Sequence, residues 1–312
     1  MKKILTIIFD GFGMKESDYG NAIINANMVN FNKFYNENPH TTLFASGHYV
    51  GLHDGQFGNS EIGHQTIGAG RLIKSREVLT DEYLDNLYLN EDENIQKLKG
   101  LTSKTIHLMG LASDGNVHAG IDDFIKMYEY LIKIGFTKIF FHLITDGRDT
   151  DSKAAYNYIS LIEKNIQKNK VGCIASVCGR YYAMDRDKNY DRTKVYYDLV
   201  TKGRGIEILN IENALKSSYD KGITDEFLRP MMINREGTVK DGDVLIWMNY
   251  RSDRSKQILL ALTNPKFTEF DVTLMPNLEV FTFFNHDKLI KANVLINEPD
   301  INNSLGIYLS KL

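Results

Sequence analysis

Compact apolar runs alternate with amphipathic segments along most of the chain. The runs "KKILTIIF" (residues 2–9), "KTIHLMGL" and "KIFFHLIT" predict buried strands, because strands covered on both faces are apolar throughout. Segments such as "REVLTDEYLDNLY" and "YDRTKVYYDLV" place apolar residues at helical spacing. Further strands are predicted at "TTLFASG", "VGCIASVCG", "DVLIWMNY" and "LEVFTFF", and further helices at "NANMVNFNKFYNE", residues 121–133, "DSKAAYNYISLIEKNIQ", "NIENALKSSYDKG" and "DRSKQILLALT". This alternation predicts an α/β fold with a largely parallel sheet.

The loops that follow predicted strands carry most of the polar chemistry of the chain. They are "FDGFG", "SDGNVHAG", "TDGRDT", "CGRYYAMDRD" and "NYRSDRS". In open α/β sheets, ligands bind at the carboxyl ends of the strands, where such loops meet. We therefore expect one or two sites at which these loops converge.

Arginines recur in three of these loops. They are Arg148, Arg180, Arg186, Arg251 and Arg254. The planar guanidinium binds carboxylates and phosphates through paired hydrogen bonds, so this set suits a small, doubly anionic ligand. Beside such a ligand, His118 would donate a hydrogen bond to phosphate and Asp149 would act as a general base. The alternative is surface ion pairing with the neighbouring aspartates, which are Asp149, Asp185, Asp187 and Asp253.

Two residues in the first part of the chain suggest a metal ligand and a nucleophile. Asp10 follows the first predicted strand in "FDGFG", where a carboxylate beside a glycine either approaches a metal ion or forms a turn. Ser60 lies in the glycine-rich stretch "QFGNSEIGHQTIGAGR", where a helix is expected to begin. A serine hydroxyl becomes a nucleophile when a base or a metal activates it, and the N–H groups at a helix start suit a phosphate. The alternative is that Ser60 caps the helix.

The composition excludes several classes of protein. A net charge of -3 and a pI near 6.3 argue against a protein that coats nucleic acid. No apolar run approaches the length of a membrane span. Cys173 and Cys178 do not make a disulfide framework, so we expect a cytoplasmic protein in which both are buried small hydrophobic residues. His107 and His142 lie inside predicted strands and are expected in the core.

Six motifs together carry a resemblance to a known family. "FDGFG", "GQFGNSEIGHQTIGAGR", "SDGNVHAG", "TDGRDT", "GRYYAMDRD" and "NYRSDRS" follow the order and spacing of the cofactor-independent phosphoglycerate mutases. The resemblance implies an α/β protein with an alkaline-phosphatase-like domain and an inserted phosphotransferase domain. Residues 1–74 would be the first segment of the phosphatase-like domain, residues 75–292 the insertion, and residues 293–312 the return. Phe12, where the family usually has tryptophan, and "NYRSDRS", where it has "NFRADRA", are departures that leave the chemistry unchanged.

The resemblance also implies a reaction and a set of site residues. Ser60 would take the phosphate of 3-phosphoglycerate, and the phosphoserine would return it to the other glycerate hydroxyl. The family uses two Mn²⁺ ions, and Asp10 and Ser60 would be ligands of one of them. The implied substrate-binding set is His118, Arg148, Asp149, Arg180, Arg186, Arg251 and Arg254, with Asp149 also the base toward the glycerate hydroxyls. A complete member would be a monomer that binds this small molecule and neither nucleic acid nor a membrane.

The family's sequences continue beyond the position that matches Leu312. That further segment carries the other metal ligands and a substrate lysine, so we expect a fragment, a truncated gene product, or one part of a split mutase with a complementing C-terminal chain. A competing hypothesis is a non-catalytic module that binds phosphoglycerate through its arginine loops. A third is another metal-dependent phosphoryl or sulfuryl enzyme, such as a phosphopentomutase, which the "GRYYAMDRD" and "TDGRDT" motifs disfavour.

Overall fold

The chain divides into two compact units. A computed structural model describes residues 4–298 and 301–312. Unit 1 consists of Met1–Ser75 and Ile301–Leu312, and unit 2 consists of Arg76–Asp300. The assignment of these stretches to a phosphatase-like and a phosphotransferase domain stays a prediction.

Helices and strands follow one another along the described residues. The helices are α1 (Ala22–Asn25), α2 (Val29–Glu37), α3 (Ser60–Ala69), α4 (Arg76–Asp85), α5 (Glu93–Lys99), α6 (Ile121–Ile134), α7 (Ala155–Asn169), α8 (Arg180–Ala183), α9 (Tyr190–Lys202), α10 (Ile211–Asp220), α11 (Lys256–Thr263) and α12 (Leu305–Leu309). The strands are β1 (Ile106–Leu111), β2 (Ile139–Thr145), β3 (Cys173–Gly179), β4 (Ile206–Glu207), β5 (Met231–Met232), β6 (Val244–Trp247), β7 (Glu279–Thr282) and β8 (Asn293–Val294). Short 3₁₀ turns lie at Gly47–Val50, Leu87–Leu89, Asp225–Phe227 and Arg235–Gly237. Within these described elements, no helix is both long and apolar enough to span a bilayer.

Unit 2 is built on one mainly parallel sheet. Its strand order is β4-β5-β3-β2-β1-β6-β7-β8. The strands from β3 to β8 in this order are parallel to their neighbours, whereas β5 pairs with β3 in the antiparallel sense. The prediction of an α/β fold with a largely parallel sheet is therefore confirmed for unit 2. The carboxyl ends of β3, β2, β1 and β6 lie side by side along one edge, which is where the polar loops begin.

Helices cover both faces of this sheet. Successive residues of a strand face opposite sides, so Ile106 and Leu108 of β1 enter one apolar core while Met109 and Leu111 enter the other. Side chains of α6 and α7 fill the first core, and those of α9 and α11 fill the second. Burial on both faces explains why these strands read as continuous apolar runs in the sequence.

Unit 1 contains helices but, among its described residues, no strand. The strands predicted at residues 2–9 and in "TTLFASG" are therefore wrong, except that residues 2 and 3 lie outside the described residues. Ile4 and Phe9 are 91% and 59% exposed. An apolar strand needs neighbours that accept its backbone hydrogen bonds and cover its side chains. The described part of unit 1 supplies only a small buried cluster, formed by Val50, Leu52 and Ile62.

A chain of four polar side chains, three of them fully buried, runs across the sheet of unit 2. Asp243 Oδ2 lies 3.2 Å from His107 Nε2, and His107 Nδ1 lies 3.0 Å from His142 Nε2. His142 Nδ1 is in turn 2.8 Å from Ser176 Oγ. Burial lowers the pKa of both histidines, so they are neutral at pH 7. The prediction that these are core histidines is confirmed.

The two cysteines differ in their surroundings. Cys178 is fully buried in the second core, and burial raises the pKa of its thiol. Cys173 is only half-buried, and its sulfur accepts a hydrogen bond from Asn234 Nδ2 at 3.3 Å. The prediction of a buried small hydrophobic residue is therefore confirmed for Cys178 and wrong for Cys173, which is the first residue of β3.

Candidate functional site

The polar loops of unit 2 meet at the carboxyl edge of its sheet. Residues 113–119 follow β1, residues 146–149 follow β2, α8 begins directly after β3, and residues 249–254 follow β6. Because these strands are neighbours and parallel, their following loops are brought together. The sequence prediction that these loops converge is borne out for these four.

Asp146 joins three of the loops. Its Oδ2 accepts a hydrogen bond from Ser113 Oγ at 2.8 Å. Its Oδ1 accepts from the backbone N–H groups of Arg148 and Asp149, at 3.1 and 3.0 Å, and from Arg180 Nη1 at 2.6 Å. Burial by itself would raise the pKa of Asp146, but the N–H of Asp149 and the charge of Arg180 outweigh it and hold the pKa below its ordinary value. The carboxylate is therefore ionised and fixes the loops relative to one another.

Arg180 is the buried centre of the arginine cluster. Only 2% of the residue is exposed, and Nη1 lies 2.6 Å from both Asp146 Oδ1 and Asp149 Oδ2. Its Nε is buried and has no hydrogen-bond partner among the described residues. Although burial disfavours the cation, the two carboxylates raise the pKa of Arg180 above its ordinary value. The guanidinium is therefore held in its charged form by the two carboxylates, and its Nε–H is still available to a ligand.

His118 lies between two carboxylates without touching either. The residue is 3% exposed, with Nε2 3.9 Å from Asp149 Oδ2 and Nδ1 3.9 Å from Asp253 Oδ1. His118 Nδ1 and Asp253 Oδ1 are both buried, and neither has a hydrogen-bond partner among the described residues. Burial, followed by the charge of Arg180, lowers the pKa of His118 to about 4. The imidazole is therefore neutral at pH 7 and has hydrogen-bonding capacity left for a ligand.

Asp253 holds two of the more exposed arginines. Arg186 Nη1 donates to Asp253 Oδ2 at 3.1 Å, and Arg251 Nε lies 3.5 Å from Oδ1. Burial would raise the pKa of Asp253, but the charge of Arg251, joined by that of His118 once its imidazole is protonated in acid, acts against burial and keeps the pKa low. The predicted alternative of arginine–aspartate pairing is thus also present, and it operates inside the cluster as well as on the surface.

Arg254 shows that the arginines are close enough to repel one another. Its Nη1 donates to the carbonyl oxygen of Met184 at 3.0 Å. Burial lowers the pKa of Arg254, and the positive charges of three other arginines lower it further; these are Arg180, Arg186 and Arg148. A gathering of cations that destabilise one another is typical of a site whose ligand is an anion.

Two glycines let one segment pack against the arginine loops. A Cβ on Gly147, whose φ is +70°, would lie 2.8 Å from the backbone nitrogen of Glu226. A Cβ on Gly179 would lie 2.6 Å from the backbone nitrogen of Leu228. This close approach brings Glu226 Oε1 to 3.5 Å from Arg148 Nη1. Glycine is therefore required at both positions, directly before Arg148 and Arg180.

In unit 1, the structure brings Asp10 and Ser60 together. Ser60 Oγ donates a hydrogen bond to Asp10 Oδ2, and both residues are exposed. Ser60 is the first residue of α3, and the cap is Asn59, whose side chain accepts from the N–H of Ile62 at 3.1 Å. The alternative reading of Ser60 as the helix cap is therefore wrong, because Asn59 already satisfies that donor. The expectation of a helix beginning at Ser60 is confirmed.

Asp10 and Ser60 place a carboxylate and a hydroxyl oxygen side by side. Carboxylate and hydroxyl oxygens are ligands that hard divalent cations prefer, but such cations take a fuller set of ligands than two. Across residues 4–298 and 301–312, no group of three or more His, Cys, Asp or Glu side chains could hold a metal ion. The described residues therefore offer two oxygen ligands of a type that suits such a cation, and they do not complete its coordination.

Sequence reasoning missed several residues that organise the cluster. Asp146 stands in the "TDGRDT" motif, yet only the structure shows that its carboxylate points inward. An aspartate directly after a strand, two residues before an arginine, is a sequence signal for a carboxylate that accepts loop N–H groups. The sequence predicts Asp253 only as a surface partner of the arginines, and Glu226 lies in a segment that no motif marks.

Fold and site together define an α/β protein with a cluster of arginines at the carboxyl edge of its parallel sheet. Residues 76–288 match the family model described as BPG-independent PGAM N-terminus. This match covers more than half of the chain, so the chain belongs to the family of 2,3-bisphosphoglycerate-independent phosphoglycerate mutases. The resemblance drawn from the motifs is confirmed, and the phosphopentomutase alternative is set aside.

Curated relatives agree with this family. The chain is 37% identical to a 2,3-bisphosphoglycerate-independent phosphoglycerate mutase of Bacteroides thetaiotaomicron, with 99% of this chain and 62% of the relative aligned. It is 40% identical to the protein of that name from Coxiella burnetii, with 99% and 61% aligned. A Leishmania mexicana phosphoglycerate mutase solved at low cobalt concentration matches with a TM-score of 0.79 and 26% identity, over 90% of this chain and 55% of that one. The chain thus spans about 60% of the length of the curated relatives.

Proposed function

We propose that this chain carries the substrate site and the phosphate-accepting serine of a phosphoglycerate mutase, which interconverts 3-phosphoglycerate and 2-phosphoglycerate. The observation that carries the proposal is the convergence of arginines around buried His118 in unit 2. A phosphoglycerate has one carboxylate and one phosphate, and several guanidinium groups are the chemistry that binds both. The proposed binding residues are His118, Arg148, Asp149, Arg180, Arg186, Arg251 and Arg254.

Each of these groups has a role that follows from its surroundings. Arg180 offers its unused Nε–H, and neutral His118 offers one donor and one acceptor. Arg148, Arg186 and Arg251 are partly exposed and held by carboxylates, so they are free to turn their remaining donors toward an anion. Asp149 accepts from Arg180 at 2.6 Å and is the proposed base that takes a proton from a glycerate hydroxyl.

Ser60 is the proposed nucleophile of the transfer. Its Oγ would lose its proton and form a bond to phosphorus while the bond from phosphorus to the substrate oxygen breaks. The glycerate oxygen would take up a proton, which leaves glycerate and a phosphoserine. The other glycerate hydroxyl would then attack the same phosphorus and release Ser60. A divalent cation, which we propose to be Mn²⁺ with Asp10 and Ser60 among its ligands, lowers the pKa of such a hydroxyl and neutralises charge when it is bound.

A second candidate function is binding without catalysis. Unit 2 contains the whole arginine cluster by itself, whereas the described residues do not complete a metal site. In that case the chain would bind phosphoglycerate and Ser60 would stay unmodified. A complementing C-terminal chain that brings further metal ligands would convert this candidate into the first.

The remaining expectations concern location and partners. We propose a cytoplasmic protein whose partner is the small-molecule substrate, with neither nucleic acid nor a membrane as a ligand. A net charge of -3 supports this choice, because a nucleic-acid surface would repel it. The proposal for a complete mutase is a monomer.

Mass spectrometry of Ser60 decides between the two candidates. The protein is incubated with 3-phosphoglycerate and Mn²⁺, and the phosphate is mapped by peptide. The mutase proposal expects phosphate on Ser60 and formation of 2-phosphoglycerate, with both lost in Ser60→Ala and kept in the control Ser17→Ala, an exposed serine of the same unit. Unmodified Ser60 in a sample that binds the ligand supports the binding module, and a folded sample that binds none contradicts both.

A further inference from the structure

We propose that Arg76 is a positioning residue for the anion site, because it fixes the loop that carries Arg251 and Arg254. Arg76 is the first residue of α4 and belongs to none of the motifs that mark the site. The inference rests on the proposed function, since it concerns how the same cluster is held ready for phosphoglycerate. It adds a residue on a different element from those that would touch the ligand.

One edge of the Arg76 guanidinium binds the loop on both sides of Arg251. Nη1 donates to the carbonyl oxygen of Tyr250 at 3.0 Å and to Ser252 Oγ at 2.7 Å. Tyr250 N donates in turn to the carbonyl oxygen of His118 at 2.8 Å. The neighbours of Arg251 in the chain are therefore tied to Arg76, and through Tyr250 the loop is tied to His118.

The other edge of the same guanidinium is fixed to the body of unit 2. Nε and Nη2 donate to Glu298 Oε1 and Oε2, each at 2.7 Å. The guanidinium carbon also lies 4.9 Å from the centre of the Phe284 ring. A planar fork held by a carboxylate and a ring presents Nη1 in a fixed direction, which an ammonium group on a flexible stem does not do.

This arrangement matters because Arg251 itself is loosely held. Its side chain is 37% exposed, and its contact with Asp253 is 3.5 Å. A loop that is already in place loses less conformational freedom when an anion binds, so positioning by Arg76 strengthens binding without a contact to the ligand. Loss of the Nη1 hydrogen bonds therefore weakens binding even where the protein stays folded.

The test compares variants that separate the two edges of Arg76. Arg76→Lys removes the bonds to the loop and is expected to weaken calorimetric binding of 3-phosphoglycerate about 10-fold. Ser252→Ala removes one of the two bonds from Arg76 to the loop, together with a 3.3 Å contact to His286 Nδ1, and weakens binding by a smaller factor. The double variant binds about as weakly as Arg76→Lys alone. Glu298→Gln keeps one oxygen that accepts from the fork, and the Phe284 ring stays in place, so Nη1 remains on the loop and the affinity is expected to stay within about two-fold. A purely structural role would make Glu298→Gln and Arg76→Lys behave alike.

Equal affinities of the parent and Arg76→Lys overturn the proposal, as does an equal loss in Glu298→Gln. If the parent binds no ligand, the proposed function fails, and amide hydrogen exchange in the free protein then decides the positioning role. Exchange at Tyr250 and residues 251–254 is expected to be faster in Arg76→Lys, and unchanged exchange overturns the inference. Should Arg76→Lys not fold, the same two measurements on Ser252→Ala carry the test.

Discussion

Replacing Asp146 with alanine is expected to lower the free energy of unfolding of unit 2 by about 3 kcal/mol. Asp146 and Arg180 are each only 2% exposed, and a buried guanidinium that loses a buried carboxylate is strongly destabilised. Asp149 still pairs with Arg180 at 2.6 Å, so the guanidinium keeps one carboxylate. The expected loss of free energy of unfolding is therefore at the lower end of the range for a broken buried ion pair. The N–H groups of Arg148 and Asp149 lose their acceptor as well.

Urea denaturation, followed by the fluorescence of Trp247, measures this loss of stability. Trp247 is the single tryptophan of the chain and is fully buried in β6. The matched control is Asp151→Ala, an exposed aspartate of the same loop whose carboxylate accepts from Lys153 N at 3.0 Å. Its free energy of unfolding is expected to change by about 0.5 kcal/mol or less. Identical denaturation curves for the two variants would contradict the central place of Asp146.

Acidification from pH 7 to about 4 is expected to destabilise unit 2 by several kcal/mol. Four of its histidines are buried, and burial lowers the pKa of each, to about 4 for His118 and about 3 for His286; the other two are His107 and His142. The unfolded chain, with ordinary pKa values near 6.5, takes up protons first. The contribution of these histidines to stability is therefore fully present above about pH 6.5. It is lost as the pH falls toward their folded-state pKa values, by about 1.4 kcal/mol per pH unit for each proton that the unfolded chain takes up.

Asp123 acts in the opposite direction over the same range. Burial, followed by the charge of Asp81, raises the pKa of its carboxyl group to about 8. The folded protein therefore holds a proton that the unfolded chain has released, and this offsets part of the histidine effect. Unfolding followed through Trp247 at several pH values tests the balance.

Single histidine variants show which groups are responsible. The slope of the free energy of unfolding against pH measures the number of protons taken up on unfolding. His286→Gln should reduce that number by up to about one, because the histidine that takes up the proton is gone. A parent whose stability is flat between pH 7 and about 4 would mean that the buried histidines are not kept neutral by folding.

The fold of unit 2 was predictable because each of its long strands is covered on both faces. An apolar run such as that of β1 has few alternatives when amphipathic helices flank it. The same reasoning failed at residues 4–9, where an equally apolar run is exposed. The hydrophobic pattern of a segment indicates that it needs neighbouring strands and helices to cover it. The pattern does not indicate whether those neighbours are present.

The convergence of the arginines and of Asp149 was predictable from the sequence, whereas the roles of the other acidic residues were not. Each arginine follows a strand, and parallel strands bring their carboxyl ends together, so convergence was a consequence of the fold class. The inward direction of Asp146, the packing of Glu226 against Gly147, and the contacts of Arg76 all depend on the strand order. That order places β1 between β2 and β6, and no local pattern in the sequence encodes it.

The central claim is that the arginine cluster of unit 2 binds phosphoglycerate, and calorimetric titration with 3-phosphoglycerate tests it most directly. The predicted result is saturable binding that is weaker for glycerate and for inorganic phosphate, since each has only one of the two anionic groups. Arg254→Gln should weaken binding about 10-fold or more, and Arg235→Gln, an exposed arginine paired with Glu207, should not. A folded parent that binds no 3-phosphoglycerate, or equal affinities in the two variants, would contradict the account.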